Sequence, residues 1–205
     1  MDTFYKLNRV KIRYAFVATS LTSIGFVLLV LMIAKNLPDK ELLFVIFLAA
    51  GFGFPVFIII LSYIKWWYRK NVRLKAFSIE PFNQLQNIGF VDTFLNIETK
   101  WHFTEKVKTT LFDGYTLIVD ISEKSNKALE LEIPVEWKKL DKTSFNNLID
   151  KFNRLNVEFD IGCFKKRYKT KGQTFLKIDE LKLDLEKIVE LIKEAGFKPR
   201  KKGCI

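Results

Sequence analysis

Two long apolar stretches separated by a short polar gap open the chain, and patterns of shorter period follow them. Tyr14–Ala34 is a run of 21 residues without a charge, and Leu42–Ile64 is another of 23. A helix needs about 20 consecutive apolar residues to cross a bilayer core, so both runs are long enough. The gap Lys35–Glu41 contains Pro38 and Asp39 and has room only for a tight turn. The pattern predicts a transmembrane helical hairpin within residues 1–75. A cleaved leader would also place Lys6, Arg9, Lys11 and Arg13 before an apolar run. This run is longer than a leader's apolar segment, however, and Met32-Ile33-Ala34 is a poor cleavage site.

Beyond the second run the pattern changes to that of a folded domain over residues 76–205. Pro81–Ile88 reads as a short helix with Phe82 and Leu85 inward and Gly89 as its stop. Phe94–Phe103 reads as a strand of uncertain period. Val107, Thr109 and Leu111 alternate, Asp113-Gly114 signals a hairpin, and Tyr115, Leu117, Val119 and Ile121 alternate again. Leu129, Leu131, Ile133 and Val135 continue the meander. A helix over about Thr143–Leu155, capped by Asp141, presents Phe145, Leu148, Ile149 and Phe152. Val157, Phe159, Ile161 and Cys163 predict one more strand. The stripe Ile178, Leu181, Leu185, Ile188 and Ile192 predicts a last amphipathic helix ending at Gly196. The expected fold is therefore a two-helix membrane hairpin followed by a cytoplasmic α+β domain with an antiparallel sheet.

Charge fixes the expected orientation. Four Lys and Arg residues precede the first run, and Lys65, Arg69, Lys70, Arg73 and Lys75 follow the second. The positive-inside rule then puts both termini in the cytoplasm and the turn outside. Trp66, Trp67 and Tyr68, with Arg69, Lys70 and Arg73, are expected at the lipid interface. The formal charge of +11 over 205 residues is concentrated there: residues 1–75 carry +8 and the remainder +3. Anionic headgroups account for that excess better than nucleic acid does. High Phe, Ile, Lys and Asn content points to an AT-rich bacterial genome, and so to the inner membrane.

Neither run carries an ionisable residue, which argues against ion-coupled transport. Small and hydroxylated residues stand out instead: Ala49, Gly51 and Gly53 before Pro55, and Thr19, Ser20, Thr22 and Ser23 on one side of the first helix. They can pack the hairpin against itself, join copies of the chain in a homo-oligomer, or line a pore.

Chemistry is sparse. His102 is the single histidine and reads as structural, while Cys163 and Cys204 lack zinc-ligand spacing. No phosphate loop, nucleophile elbow or dinucleotide fingerprint occurs, so no catalytic residue, metal or cofactor is expected. The run Lys165, Lys166, Arg167, Tyr168, Lys169, Thr170, Lys171 holds five positive charges in seven residues. It reads as solvated surface, lipid contact, or a site for a phosphorylated small ligand with Tyr168 stacking on a base. Three functions follow in order of support. The first is a non-enzymatic accessory or immunity-type protein whose tethered domain binds a protein or a small anion. The second is a ligand-responsive oligomeric membrane effector of a defence system, and the third is a membrane-bound enzyme.

Overall fold

The computed structural model describes residues 4–34, 38–122, 125, 127–136, 142–160, 162–170 and 177–200. They fall into two compact units. One contains the residues up to Tyr68 together with Asn96–Glu105; the other contains Arg69–Leu95 and the residues from Lys106 onward. Pattern alone places the division at residue 75. The structure instead gives Arg69–Lys75 to the sheet and a ten-residue segment of the later chain to the helices.

The first unit is built on two helices long and apolar enough to cross a membrane. Helix α1 spans Phe4–Ile33. The second is continuous in three pieces: α2 Lys40–Leu48, a π-helical turn Ala49–Gly53, and α3 Phe54–Ala76. Pro55 explains the irregular turn. It has no N–H, so the carbonyls four and five residues earlier, Gly51 and Ala50, lose their backbone donors. Phe54 donates to the Ala49 carbonyl, five residues back. Helix α1 supplies what is missing: the Ser20 hydroxyl donates to the Gly51 carbonyl at 2.8 Å, and the Ser23 hydroxyl donates to the Ala50 carbonyl. Gly51 makes that approach possible, because a Cβ there would sit 3.2 Å from Ile24 Cδ1. Phe16 and Phe52 pack edge to face beside it, with ring centroids 5.8 Å apart.

The second unit is a six-stranded antiparallel sheet in the order β1-β2-β3-β4-β6-β5. The strands are β1 Val91–Leu95, β2 Glu105–Phe112, β3 Tyr115–Ile121, β4 Ala128–Pro134, β5 Val157–Asp160 and β6 Cys163–Lys169. A 3₁₀ turn Phe82–Ile88 and helices α4 Lys142–Arg154 and α5 Ile178–Glu194 complete it. One face carries the core. Leu117, Val119, Leu129, Leu131, Ile133 and Phe164 meet Phe82, Leu85, Phe152, Leu181, Leu185, Ile188 and Ile192. Asp113 and Gly114 both take positive φ in the β2–β3 hairpin, as a tight two-residue turn requires. The chain after α5 returns to the sheet through a bridge between Val135 and Pro199, and the Tyr115 hydroxyl donates to the Phe197 carbonyl at 2.6 Å.

Four local expectations change. The segment Pro81–Ile88 is a 3₁₀ turn rather than an α-helix. No strand covers Phe94–Phe103; β1 ends at Leu95 and residues 96–104 form a loop. Strand β2 turns its other side to the core. Its residues Lys108, Thr110 and Phe112 pair with Val119, Leu117 and Tyr115 and share their face; of the expected set Val107 is buried, outside the main core cluster, and Leu111 is exposed. The strand expected from Val157 to Cys163 is a hairpin. Gly162 takes φ +74, Asp160 pairs with Cys163, and the basic residues Lys165, Lys166, Arg167 and Lys169 belong to the returning strand β6. The sheet thus has six strands where pattern suggested four or five. Asp141, Ile161, Lys171 and Cys204 lie outside the described residues, as does the side chain of Phe145.

Candidate functional site

The face of the sheet away from α4 and α5 concentrates the domain's charge, because strand alternation places polar residues of β3, β4, β5 and β6 on one side. Asp120, Glu130 and Arg167 are successive neighbours across β3, β4 and β6, and Glu132, Lys165 and Glu158 form the next row across β4, β6 and β5. Asp120 opposite Glu130 is a like-charge pair that repels unless each carboxylate is neutralised. Both are. Arg73, in the last turn of α3, donates to the two Asp120 oxygens at 2.5 and 2.8 Å, with Arg69 Nη2 3.6 Å away. Buried Glu130 accepts from Arg167 Nε at 2.8 Å and from the Ser122 hydroxyl at 2.9 Å.

The expected anion-binding residues are woven into this network. Arg167 also reaches Glu158 at 2.6 Å, and hydrogen bonding to Glu130 holds its guanidinium firmly charged. Lys165 lies 3.1 Å from Asp160 and 3.9 Å from Glu132. Partial burial pulls its ammonium pKa down, but these carboxylates outweigh that and raise it. On the opposite face, Lys166 Nζ holds both Asp184 oxygens at 2.6 and 2.7 Å. The buried Tyr168 hydroxyl donates to the same carboxylate at 2.6 Å. Burial, then the Asp184 charge, pushes that phenol well above its ordinary range. Lys169 is exposed at the end of β6. Four of these residues therefore meet protein carboxylates, and Tyr168 does not present its ring for stacking.

The residues expected to pack the helices also divide. Ser23 and Gly51 lie at the hairpin contact, while Thr19 and Thr22 hydroxyls donate back to Ala15 and Ala18 of their own helix. Ala49 and Gly53 are exposed, and a Cβ on Gly53 would meet nothing within 4 Å. Of the residues expected at the lipid interface, Trp67 and Tyr68 are exposed and Lys70 is half-buried. Trp66 donates from Nε1 to the Thr104 carbonyl at 3.0 Å. Arg73, also expected there, is buried against Asp120.

Sequence reasoning missed two features. Lys11, one of the basic flanking residues, is buried and donates to the carbonyls of Asn96 and His102 and to the Thr104 hydroxyl, the last two at 2.7 and 2.9 Å. His102 thus contributes its backbone, and its side chain is exposed. A shallow groove beside α5, lined by Phe112, Asp113, Glu186, Glu190, Lys193 and Glu194, is acidic on balance. The i, i+4 spacing of its three glutamates was the available signal. Among the described residues no group of three or more His, Cys, Asp or Glu side chains could hold a metal.

Fold and charged face together define a class: an apolar helical pair joined to an antiparallel α+β sheet domain whose polar face is neutralised internally. The chain matches no protein-family model, no curated protein and no solved structure.

Proposed function

We propose that the protein is a membrane-tethered, non-enzymatic binding module of the bacterial inner membrane, with both termini and the sheet domain in the cytoplasm. The observation that carries this reading is the state of the hydroxyls in the two apolar helices. Ser20 and Ser23 donate across the hairpin to the Gly51 and Ala50 carbonyls, which Pro55 leaves without backbone donors, while Thr19, Thr22 and Ser62 donate within their own helices. Hydroxyls engaged in this way favour a closed anchor over an aqueous pore lined by the same residues, since a backbone group left unsatisfied in hydrocarbon costs several kcal/mol. The basic juxtamembrane flanks support the orientation through the positive-inside rule.

The domain's partner is a protein rather than a phosphorylated small ligand. Lys165, Lys166 and Arg167 are met by carboxylates within the domain in five ion pairs, with which a phosphate would have to compete. An accessory or immunity-type role fits a silent anchor carrying a recognition domain.

Overexpression in cells loaded with a membrane-potential dye tests the anchor reading. The expected result is unchanged polarisation and growth, with crosslinking from the sheet domain to a cytoplasmic protein. Depolarisation on expression, together with a ring-sized mass in detergent, would replace the anchor with the oligomeric effector. A periplasmic reporter inserted after Asp39 should be active and one fused at the C-terminus silent; the reverse overturns the orientation.

A further inference from the structure

The loop 96–104 bears two large apolar side chains in the open. Trp101 is 71% exposed and Ile97 is 64% exposed, though the two ends of the loop are fastened down. The Asn96 and His102 carbonyls are held by Lys11, the Thr104 N–H donates to Asn8 Oδ1 at 2.7 Å, and the Thr104 carbonyl accepts from Trp66. Phe103 packs on Phe4 with ring centroids 5.0 Å apart, and Phe4 packs in turn on Tyr63 and Trp66. The loop is therefore rigidly mounted with its Trp and Ile facing outward. Its height along the helices is also fixed. Lys100 Nζ lies 4.9 Å from the centre of the Tyr14 ring, and Tyr14 is the first residue of the charge-free run. Trp66 and Tyr63 stand where the second run ends.

We infer that this loop is an interfacial anchor, seating Ile97 and Trp101 among the headgroups of the bilayer the two helices cross. Tryptophan favours that zone because its ring is apolar and its N–H needs a polar partner. Exposed large apolar groups on a fixed loop at that level are matched by a lipid surface, which covers the apolar area and leaves the indole N–H hydrated. The loop tip carries one carboxylate, Glu98, and one ammonium, Lys100, so the contact rests on apolar insertion more than on charge. The occupant is the lipid surface itself. The inference builds on the membrane reading above and adds a third point of attachment to the two helices.

Photocrosslinking separates the two readings. Full-length protein carrying either Trp101→benzoylphenylalanine or Phe44→benzoylphenylalanine is reconstituted in vesicles of phosphatidylcholine and phosphatidylglycerol and irradiated. Both positions are exposed, so neither replacement disturbs the fold. Lipid adducts at both positions are the expected result. Lipid adducts at Phe44 with none at Trp101 would overturn the anchor while keeping the spanning helices. Absence of lipid adducts at Phe44 would overturn the membrane reading, and the inference with it.

Discussion

Arg73 clasps Asp120 through two parallel hydrogen bonds, joining the last turn of α3 to the end of β3. The pair neutralises a carboxylate that otherwise faces Glu130 across the strands. It also sets where the sheet domain begins. A fragment starting at residue 76 would lack the guanidinium, whereas one starting at Arg69 keeps it.

Removing one partner of a buried ion pair leaves the other uncompensated. Arg73→Met should therefore destabilise the sheet unit by about 3 kcal/mol, toward the lower end of what such losses cost because Arg69 remains near Asp120. Arg73→Met with Asp120→Leu should recover most of the loss, because no charge is then left unpaired. Urea titration of both variants, followed by protease sensitivity of the domain, reads the coupling. Equal stability of single and double variants would show that the pair does not act as a unit.

The hydroxyl bonds to the π-helical turn make a conditional prediction. Ser23→Ala should weaken hairpin closure by about 1–3 kcal/mol, because the Ala50 carbonyl has no backbone donor while Pro55 is present. In a Pro55→Ala background the donor returns, and the same change should have little effect. Resistance of the hairpin to unfolding in mixed detergent measures both. An equal loss in the two backgrounds would detach the serine from the proline.

Gly51 and Gly53 should behave oppositely. Gly51→Leu forces a side chain against Ile24 and should open the hairpin, whereas Gly53→Leu meets open space and should leave closure intact. Intramolecular crosslinking between α1 and α2 reports closure. If Gly53→Leu lowers the mass in detergent while closure persists, then that outward glycine joins copies of the chain.

Tyr168 predicts a loss of stability in alkali. Its phenol pKa is raised in the folded state by burial and by Asp184, so folding holds the neutral form. The associated stability is full below the unfolded tyrosine value of about 10 and declines as pH rises past it, because the unfolded chain releases the proton first. Tyr168→Phe should flatten that decline above about pH 10. A Tm against pH curve with the same slope in both proteins would sink the assignment.

The parts of the fold that follow from local pattern were legible from the residues alone. A charge-free run of bilayer length, the stripe of α5, and the alternation of β3 and β4 each specify their own structure. Strand β6 was not, since five positive side chains in seven residues look like surface until Glu130, Glu132, Glu158, Asp160 and Asp184 meet Lys165, Lys166 and Arg167. The register of β2 failed for a related reason. Val107, Thr109 and Leu111 look like the core set, but the hairpin turn at Asp113-Gly114 pairs Phe112 with Tyr115 and turns the alternate residues to the core, so that Val107 is buried apart from the main cluster and Leu111 is left exposed. The loop 96–104 was hidden because Asn8, Lys11 and Trp66, which hold it, lie far away in sequence. As for the candidate site, the basic run was visible, and its engagement with carboxylates was not.

The clasp of Lys11 on the 96–104 loop has an order in time. Synthesis proceeds from the N-terminus, so α1 emerges while its later partners are still untranslated. On the membrane reading proposed above, Lys11 enters the bilayer's edge as an unsheltered cation and counts with Lys6, Arg9 and Arg13 in setting which way the helix faces. Only after residue 104 has been made can the same ammonium be enclosed by the Asn96 and His102 carbonyls. One side chain thus serves first as a signpost for insertion and later as a latch, and the latch cannot close until the direction has been chosen.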